Sequence, residues 1–313
     1  MSGEQRLIDS LRLLARHPAA RALRDDAAVL PAPLGRDLVL THDMLVEGVH
    51  YLRSDPPGDV AWKLLAVNLS DLAAKGAEPI GVLIGYALTG TPDWDDAFVA
   101  GLGRALDHFG VALLGGDTVA QPPGDARVTG LTAIGQAPPG GAPDRRRAQA
   151  GDLLFVTGPI GDAGLGLRIA RGEIEGPRRL LKAYRLPMPR LTEGRALARF
   201  AHAMADVSDG LLIDARRIAD ASGLAVTINL DAVPLSTETR AFGEDRTARL
   251  AAATAGDDYQ LLCAVPPEAR GAAAALAVEI GRFGPGEGLI LHDHAGPVPL
   301  PEMLGYEHGA PVP

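Results

Sequence analysis

Acidic residues in this chain stand where apolar runs would otherwise be buried without interruption. Asp43 lies in THDML, Asp71 in NLSDLAAKG, Asp117 in LLGGDT, Asp206 and Asp209 in DVSDGLL, Asp257 and Asp258 in AGDDYQLL, and Asp25 and Asp26 in RDDAAVL. Singly, each has a structural explanation. Asp71 can pair with Lys75 one helical turn on, Asp206 or Ser208 can cap a helix beginning near Gly210, and Asp117 can close a turn after Gly115 and Gly116. Together they constrain the fold much more, because carboxylates set beside buried strands repel one another unless cations neutralise them. Hard oxygen donors of this kind suit Mg2+, so the pattern points to a site for several metal ions. Such ions are most often recruited to polyphosphates, whose charge they offset in phosphoryl transfer.

Apolar spacing organises the chain around these motifs. Leu7, Leu11, Leu14 and Ala15 before Pro18 predict an opening helix, and DLVLTHDMLVEGVHYL alternates loosely as strand material. Residues 59–76 predict a helix, with Val60, Leu64, Val67 and Ala74 on one stripe and Gly76 as its stop, yet Asn68, Ser70 and Asp71 sit in its middle. IGVLIGYAL reads as a buried strand, 93–109 as a helix with an acidic first turn, GVALLGGDT as strand into turn, and RVTGLTAIGQ as a strand. Three prolines and a basic cluster in QAPPGGAPDRRRAQAG mark the domain boundary, giving expected domains 1–138 and 139–313. Beyond it, DLLFVTG, LAVTINL and DDYQLLCAV read as strands, and DAGLGLRIARG and DGLLIDARRIADASG as helices. Without a strict strand-helix-strand rhythm, the expected class is α+β with mixed sheets packed with helices.

A length of 313 residues favours two cores over one. Aromatics are only 4% of the chain, so Leu, Val and Ala must fill the interior. The net charge of −9 disfavours non-specific binding to nucleic acid or anionic membranes. The longest apolar stretch is too short to span a bilayer and the amino terminus lacks a signal-peptide pattern, so a cytoplasmic protein is expected. The single cysteine, Cys263 in LLCAV, reads as a buried structural thiol. No Gly-x-x-x-x-Gly-Lys-Ser/Thr loop occurs. GPIGDAGLG reads as a tight turn into a helix, with phosphate contact as the other possibility. His292 and His294 read as a solvated edge rather than a zinc site, and His50 stands near enough to Asp43 either to serve the same pocket or to pack in the core.

The motifs DDAAVL, THDMLVEGVHY, KLLAVNLSDLAAKGAEP, LLGGDT, VSDGLLIDARRIADASG, GDDYQLL and GYEH, in that order, resemble the thiamine-monophosphate kinases. That family belongs to the aminoimidazole-ribonucleotide synthetase-like superfamily, and the likeness runs from about residue 24 to 308. The resemblance implies a two-domain fold and a homodimer joined through the amino-terminal domains, with nucleotide in a cleft between first and second domain. The implied reaction is transfer of the ATP γ-phosphoryl group to thiamine monophosphate, aided by several Mg2+ ions, as the last step of thiamine diphosphate biosynthesis.

Carried onto this chain, the resemblance makes Asp26, Thr41, His42 (through its backbone), Asp43, Asp71, Asp117, Asp206 and Asp209 metal ligands. Gly116, Asp117, Arg145 and Ser208 would contact ATP, while His50, Asp257 and Tyr306 would hold thiamine monophosphate, the tyrosine ring against its cationic heterocycle. Arg24 stands where the family usually has glycine, and Asp257 where it usually has glutamate; Arg145 belongs to a run with Arg146 and Arg147. Two alternatives stay open. One is another ATP-dependent enzyme of the superfamily, such as an aminoimidazole ribonucleotide synthetase; the other is a non-catalytic ATP-binding protein. The cysteines used by selenophosphate synthetase and by the hydrogenase-maturation dehydratase have no counterpart here.

Overall fold

The structure, a computed structural model, describes residues 3–24, 27–31, 33–122 and 124–307. The chain divides into two compact units, one of Met1–Leu72 with Ala77–Gly141, the other of Ala73–Gly76 with Ala142–Pro313.

The first unit contains α1 (Gly3–Leu14), β1 (Leu38–Val46), α2 (Pro57–Ala74), β2 (Glu78–Leu88), α3 (Pro92–Phe109), β3 (Ala112–Ala120) and β4 (Val128–Gln136). Its mixed four-stranded sheet has the order β1-β4-β2-β3, with β2 and β3 parallel and the other pairs antiparallel. The expected single stripe on α2 is too modest. Val60, Ala61, Leu64, Leu65, Ala66, Leu69 and Leu72 are all buried, as are Asn68 and Ser70, so the helix is core on nearly every side. It crosses α3 backbone to backbone, since a Cβ on Gly101 would lie 2.2 Å from the Gly58 Cα. Pro92 with Asp93 and Asp95 opens α3, and Gly110, at φ 66°, closes it by donating its N–H to the Leu106 carbonyl.

The second unit runs β5 (Leu153–Val156), α4 (Asp162–Ala170), α5 (Arg178–Arg185), α6 (Leu191–Leu197), β6 (Ala203–Asp206), α7 (Leu211–Ser222) and β7 (Ala225–Asn229). It continues with α8 (Thr237–Arg240), α9 (Arg246–Thr254), β8 (Leu261–Val265), α10 (Arg270–Ala274), β9 (Val278–Gly284), β10 (Gly288–Asp293) and β11 (Gly296–Val298). Its seven-stranded sheet has the order β11-β10-β7-β9-β5-β8-β6, and only β7 and β10 pair in parallel.

Both faces of the sheet's centre are covered. Leu154, Val156, Leu262 and Ala264 join the core that includes α7, while Leu153, Phe155, Leu261, Cys263 and Val265 join a second core with α6. Alternation along two-faced strands explains why LLFV and LLCAV are apolar without a break. Cys263 is fully buried, and burial pushes its thiol well above the usual range, so it is structural as expected. The strand expected at DDYQLLCAV begins only at Leu261, because Asp257 and Tyr259 take left-handed conformations at φ 68° and 48°. Mixed sheets packed with helices are what the motif order predicts.

Candidate active site

In the first unit, α2 and β1 meet through the polar residues that looked misplaced in an apolar helix. The Asn68 side-chain oxygen accepts the Asp43 backbone N–H at 2.9 Å, and its amide nitrogen donates to the Leu64 carbonyl at 2.9 Å. The Thr41 hydroxyl donates to Oδ2 of Asp71. Thr41 and Asp43 alternate with His42 on β1, so both face α2. Asn68 thus ties the Asp43 backbone to the helix that carries Asp71, on the same face of β1 from which Thr41 reaches Asp71.

The His42 ring lies on the opposite face, with Nδ1 2.9 Å from the Thr132 hydroxyl. After β1 the chain turns back on itself at Glu47 and Tyr51, which form an isolated bridge. Glu47 is buried, and burial would raise its carboxyl, but the Arg53 and Arg127 guanidiniums bonded to it hold it below the usual range. His50 lies inside this buckle. Its Nδ1 accepts the Val46 N–H at 3.0 Å, which leaves the neutral-ring proton on Nε2, and Lys63 Nζ donates to its carbonyl at 3.0 Å.

Register places Asp117 elsewhere. Asp43 aligns with Leu131 and Ile84 across the sheet, whereas Met44 aligns with Gly130, Gly85 and Asp117. Asp117 therefore shares the face of Met44, away from Thr41 and Asp43. Gly116 beside it is irreplaceable on steric grounds, since a Cβ there would stand 2.0 Å from the Ile84 carbonyl oxygen. Asp26 lies outside the described residues.

In the second unit, four expected site residues share one backbone frame. The Asp257 N–H donates to the Ser208 carbonyl at 2.8 Å, and the Tyr306 N–H to the Asp209 carbonyl at 2.9 Å. Asp206 ends β6 just before them, buried and aligned with Leu261. The loop owes its shape to Asp214, which neither motif spacing nor composition signalled. One oxygen of Asp214 accepts the N–H groups of Ser208, Asp209 and Gly210 at 3.1, 3.1 and 3.2 Å. The helix cap expected from Asp206 or Ser208 thus comes from inside α7. Burial and the nearby Asp209 push the Asp214 carboxyl up, while Arg217 pulls it down by bonding Asp214 at 2.8 Å and Asp209 as well.

The glycine-rich turn before α4 resolves as a structural turn. Asp258, buried, accepts the Gly161 N–H at 2.7 Å and the Ala163 N–H at 3.2 Å. A protein carboxylate thus occupies the place at that helix N-terminus where a phosphate would bind. Among the three arginines, Arg146 is committed to Asp144 through bonds of 2.7 to 3.0 Å. Arg145 and Arg147 are exposed and have no side-chain ion pair among the described residues. His294 bonds Asp231 at 2.9 Å in a turn after β10, so it does not share a strand face with His292.

The donors near Asp71 and around Asp209 are carboxylates and a hydroxyl, with no sulfur or imidazole nitrogen among them, which fits Mg2+ rather than a softer metal. Among the described residues no group of three or more His, Cys, Asp or Glu side chains is gathered closely enough to hold an ion alone. No helix among them is long and apolar enough to cross a membrane.

The two units match known family models. The AIR synthase related protein, N-terminal domain, matches residues 24–137, and the AIR synthase related protein, C-terminal domain, matches residues 149–293. The fold is thus the two-domain AIR synthase-like fold implied by the motifs. Thiamine-monophosphate kinase of Caulobacter vibrioides is 44% identical over 96% of this chain and 88% of its own length. The chain belongs to the thiamine-monophosphate kinase family. A solved thiamine-monophosphate kinase from Stenotrophomonas maltophilia K279a is 36% identical, with a TM-score of 0.81 over 93% of this chain and 95% of that one. The structure of AaThiL complexed with AMPPCP and TMP is 30% identical, with a TM-score of 0.78 over 96% of each chain.

Proposed function

We propose that this protein transfers the γ-phosphoryl group of ATP directly to the phosphate of thiamine monophosphate, forming thiamine diphosphate and ADP. The observation that carries the reading is the backbone frame shared by Ser208, Asp209, Asp257 and Tyr306, four residues to which the family resemblance gives the nucleotide, a metal ion and the acceptor. Family membership and the relative solved with a nucleotide analogue and TMP support the same assignment.

Both reactants are anionic, so their approach costs Coulomb repulsion before any in-line geometry is reached. Mg2+ ions, when bound, would offset that charge. The family resemblance assigns Mg2+ ions to Thr41, His42 through its backbone, Asp43, Asp71, Asp117 and Asp26 in the first unit and to Asp206 and Asp209 in the second. The Thr41 hydroxyl aims the Asp71 carboxylate, and Asn68 holds Asp43 against α2. Asp214 fixes the Ser208–Asp209 loop so that Ser208 meets ATP without reorganisation. Arg145 and the Gly116–Asp117 stretch, which continues β3 where the motif had suggested a turn, are the remaining ATP contacts. His50, with its proton on Nε2, is a donor to the acceptor phosphate; Asp257 and Tyr306 take the thiamine heterocycles. The acceptor oxygen is already ionised near neutral pH, so no residue need act as a strong base.

The face of β1 that carries Leu38, Leu40 and Met44, exposed by 44%, 62% and 51%, suits a second copy of the chain. Asp117 shares that face, so its role as a ligand is tied to the homodimer. An assay for ADP with and without thiamine monophosphate tests the function. Release of ADP that depends on this acceptor, with one inversion at phosphorus, is the expected result; release indifferent to it, or net retention, overturns the reading.

A further inference from the structure

The segment 256–260 is held by backbone and side-chain hydrogen bonds along its length. Its two non-glycine residues with left-handed backbone, Asp257 and Tyr259, flank the buried Asp258, which is bonded to the N-terminal turn of α4. Backbone N–H groups of Asp257 and Tyr259 donate to the carbonyls of Ser208 and Val207, each at 2.8 Å. A Cβ on Gly256 would stand 2.7 Å from the Ser208 carbonyl oxygen, so the two loops touch backbone to backbone. A bulky residue at positive φ is costly and persists only where its surroundings over-determine it. Here the conformation turns the Tyr259 ring back along its own chain, and its hydroxyl donates to Oδ1 of Asp257 at 3.0 Å.

We infer that Tyr259 is a positioning residue for acceptor recognition: its hydroxyl fixes the rotamer of the Asp257 carboxylate and so sets where that short side chain meets thiamine monophosphate. The inference rests on the proposed reading of Asp257 as an acceptor contact. An aspartate is one methylene shorter than the glutamate the family resemblance leads one to expect, so its reach is set by backbone and rotamer together. Aspartate is among the residues that tolerate a left-handed backbone, and the phenol supplies the missing restraint on the rotamer. A phenol suits this task because it donates a hydrogen bond while bringing no positive charge of its own beside the cationic heterocycle. An arginine in the same place would compete with that ligand. Tyr259 itself is 7% exposed and stands behind Asp257.

The test is steady-state kinetics on the full chain for Tyr259→Phe, Asp257→Asn and the double variant, with calorimetric titration of thiamine monophosphate in the absence of ATP. Tyr259→Phe keeps the ring volume and loses one hydrogen bond, so KM and Kd for thiamine monophosphate are expected to rise about 5- to 10-fold. The KM for ATP and kcat at saturation should stay within about twofold, since the loss is in binding common to ground and transition states. Asp257→Asn should raise the same constants further, and the double variant should be no worse than Asp257→Asn alone, because the phenol acts only through that carboxylate. If Asp257→Asn leaves acceptor binding unchanged, the reading of Asp257 falls and this inference with it. If Asp257→Asn weakens binding but Tyr259→Phe does not, or the two effects add, Tyr259 has no positioning role and the reading of Asp257 stands. Should Tyr259→Phe fold poorly by circular dichroism, Tyr259→Trp, which also lacks a hydroxyl there, is measured against Asp257→Asn in the same way, and an unchanged acceptor KM overturns the inference.

Discussion

Replacing Asn68 with leucine removes the side chain that ties the Asp43 backbone to α2 while keeping the number of side-chain heavy atoms the same. Two hydrogen bonds disappear, but they are not equal. The Leu64 carbonyl is also the acceptor of the helix's own i→i−4 bond from the Asn68 backbone, so it stays satisfied. The Asp43 N–H loses the acceptor that stands 2.9 Å away, at a position where Asn68 is 0% exposed. Leaving that donor buried without its partner costs about 1–3 kcal/mol. Both tryptophans, Trp62 and Trp94, lie in the first unit, so fluorescence during urea unfolding reads that unit alone. With a slope of about 2 kcal/mol per molar urea, the midpoint should fall by roughly 0.5–1.5 M. Exchange of the Asp43 amide hydrogen should quicken by roughly 5- to 100-fold, the same free energy read locally. Turnover should drop as well, because the Asp43 carboxylate sits on the segment that Asn68 holds. A midpoint within about 0.2 M of the parent and unchanged exchange at Asp43 would show that this amide does not hold the strand, and the account of why polar residues interrupt α2 would be wrong.

Asp71→Asn removes charge but little shape from a half-buried position, so we expect turnover to fall by at least about 100-fold with the fluorescence midpoint nearly unmoved; wild-type rates at saturating Mg2+ would refute its assignment. Asp258 gives a pH prediction. Burial, with smaller contributions from Asp162 and Asp257, pushes its carboxyl up from 3.8 to about 8 despite the N–H bonds from Gly161 and Ala163. A raised folded-state value means that its contribution to stability is full below the unfolded value and is lost as pH rises through the folded one. The second unit should therefore lose up to about 1.4 kcal/mol per pH unit between roughly pH 4 and 8, and Asp258→Asn should flatten that slope in melting curves. A variant whose stability falls with pH as steeply as the parent would rule this group out as the cause.

Much of the architecture was legible in the chain because it is written in local periodicity. Unbroken apolar runs such as LLCAV form buried strands and stretches such as DGLLIDARRIADASG form helices, and Asp206, Asp209, Asp257 and Asp258 stand at a strand end and in loops, whereas Asp43, Asp71 and Asp117 lie inside regular elements. Short elements were not legible. The helices α5, α6, α8, α9 and α10 and the strands β6, β9, β10 and β11 are brief segments whose pattern does not rise above that of a loop, and tertiary packing alone makes them regular. The same holds for the left-handed turns at Asp257 and Tyr259, which interrupt an apolar run that reads as continuous strand.

What the amino-acid order determined by itself is the chemical inventory: hard oxygen donors beside apolar runs, a lone thiol inside a strand, and motif order sufficient to name a family. Which donors meet was decided by the folded chain. Asn68 reaching Asp43, Asp214 capping the Ser208 loop, Asp258 filling the helix terminus that a phosphate could have taken, and Asp117 turning to the opposite face from Asp43 all depend on strand register and on helices brought alongside from elsewhere. A hydrogen-bond partner is chosen by distance in space. Local sequence limits which groups can bond, but the packing of remote apolar surfaces decides which of them come within reach.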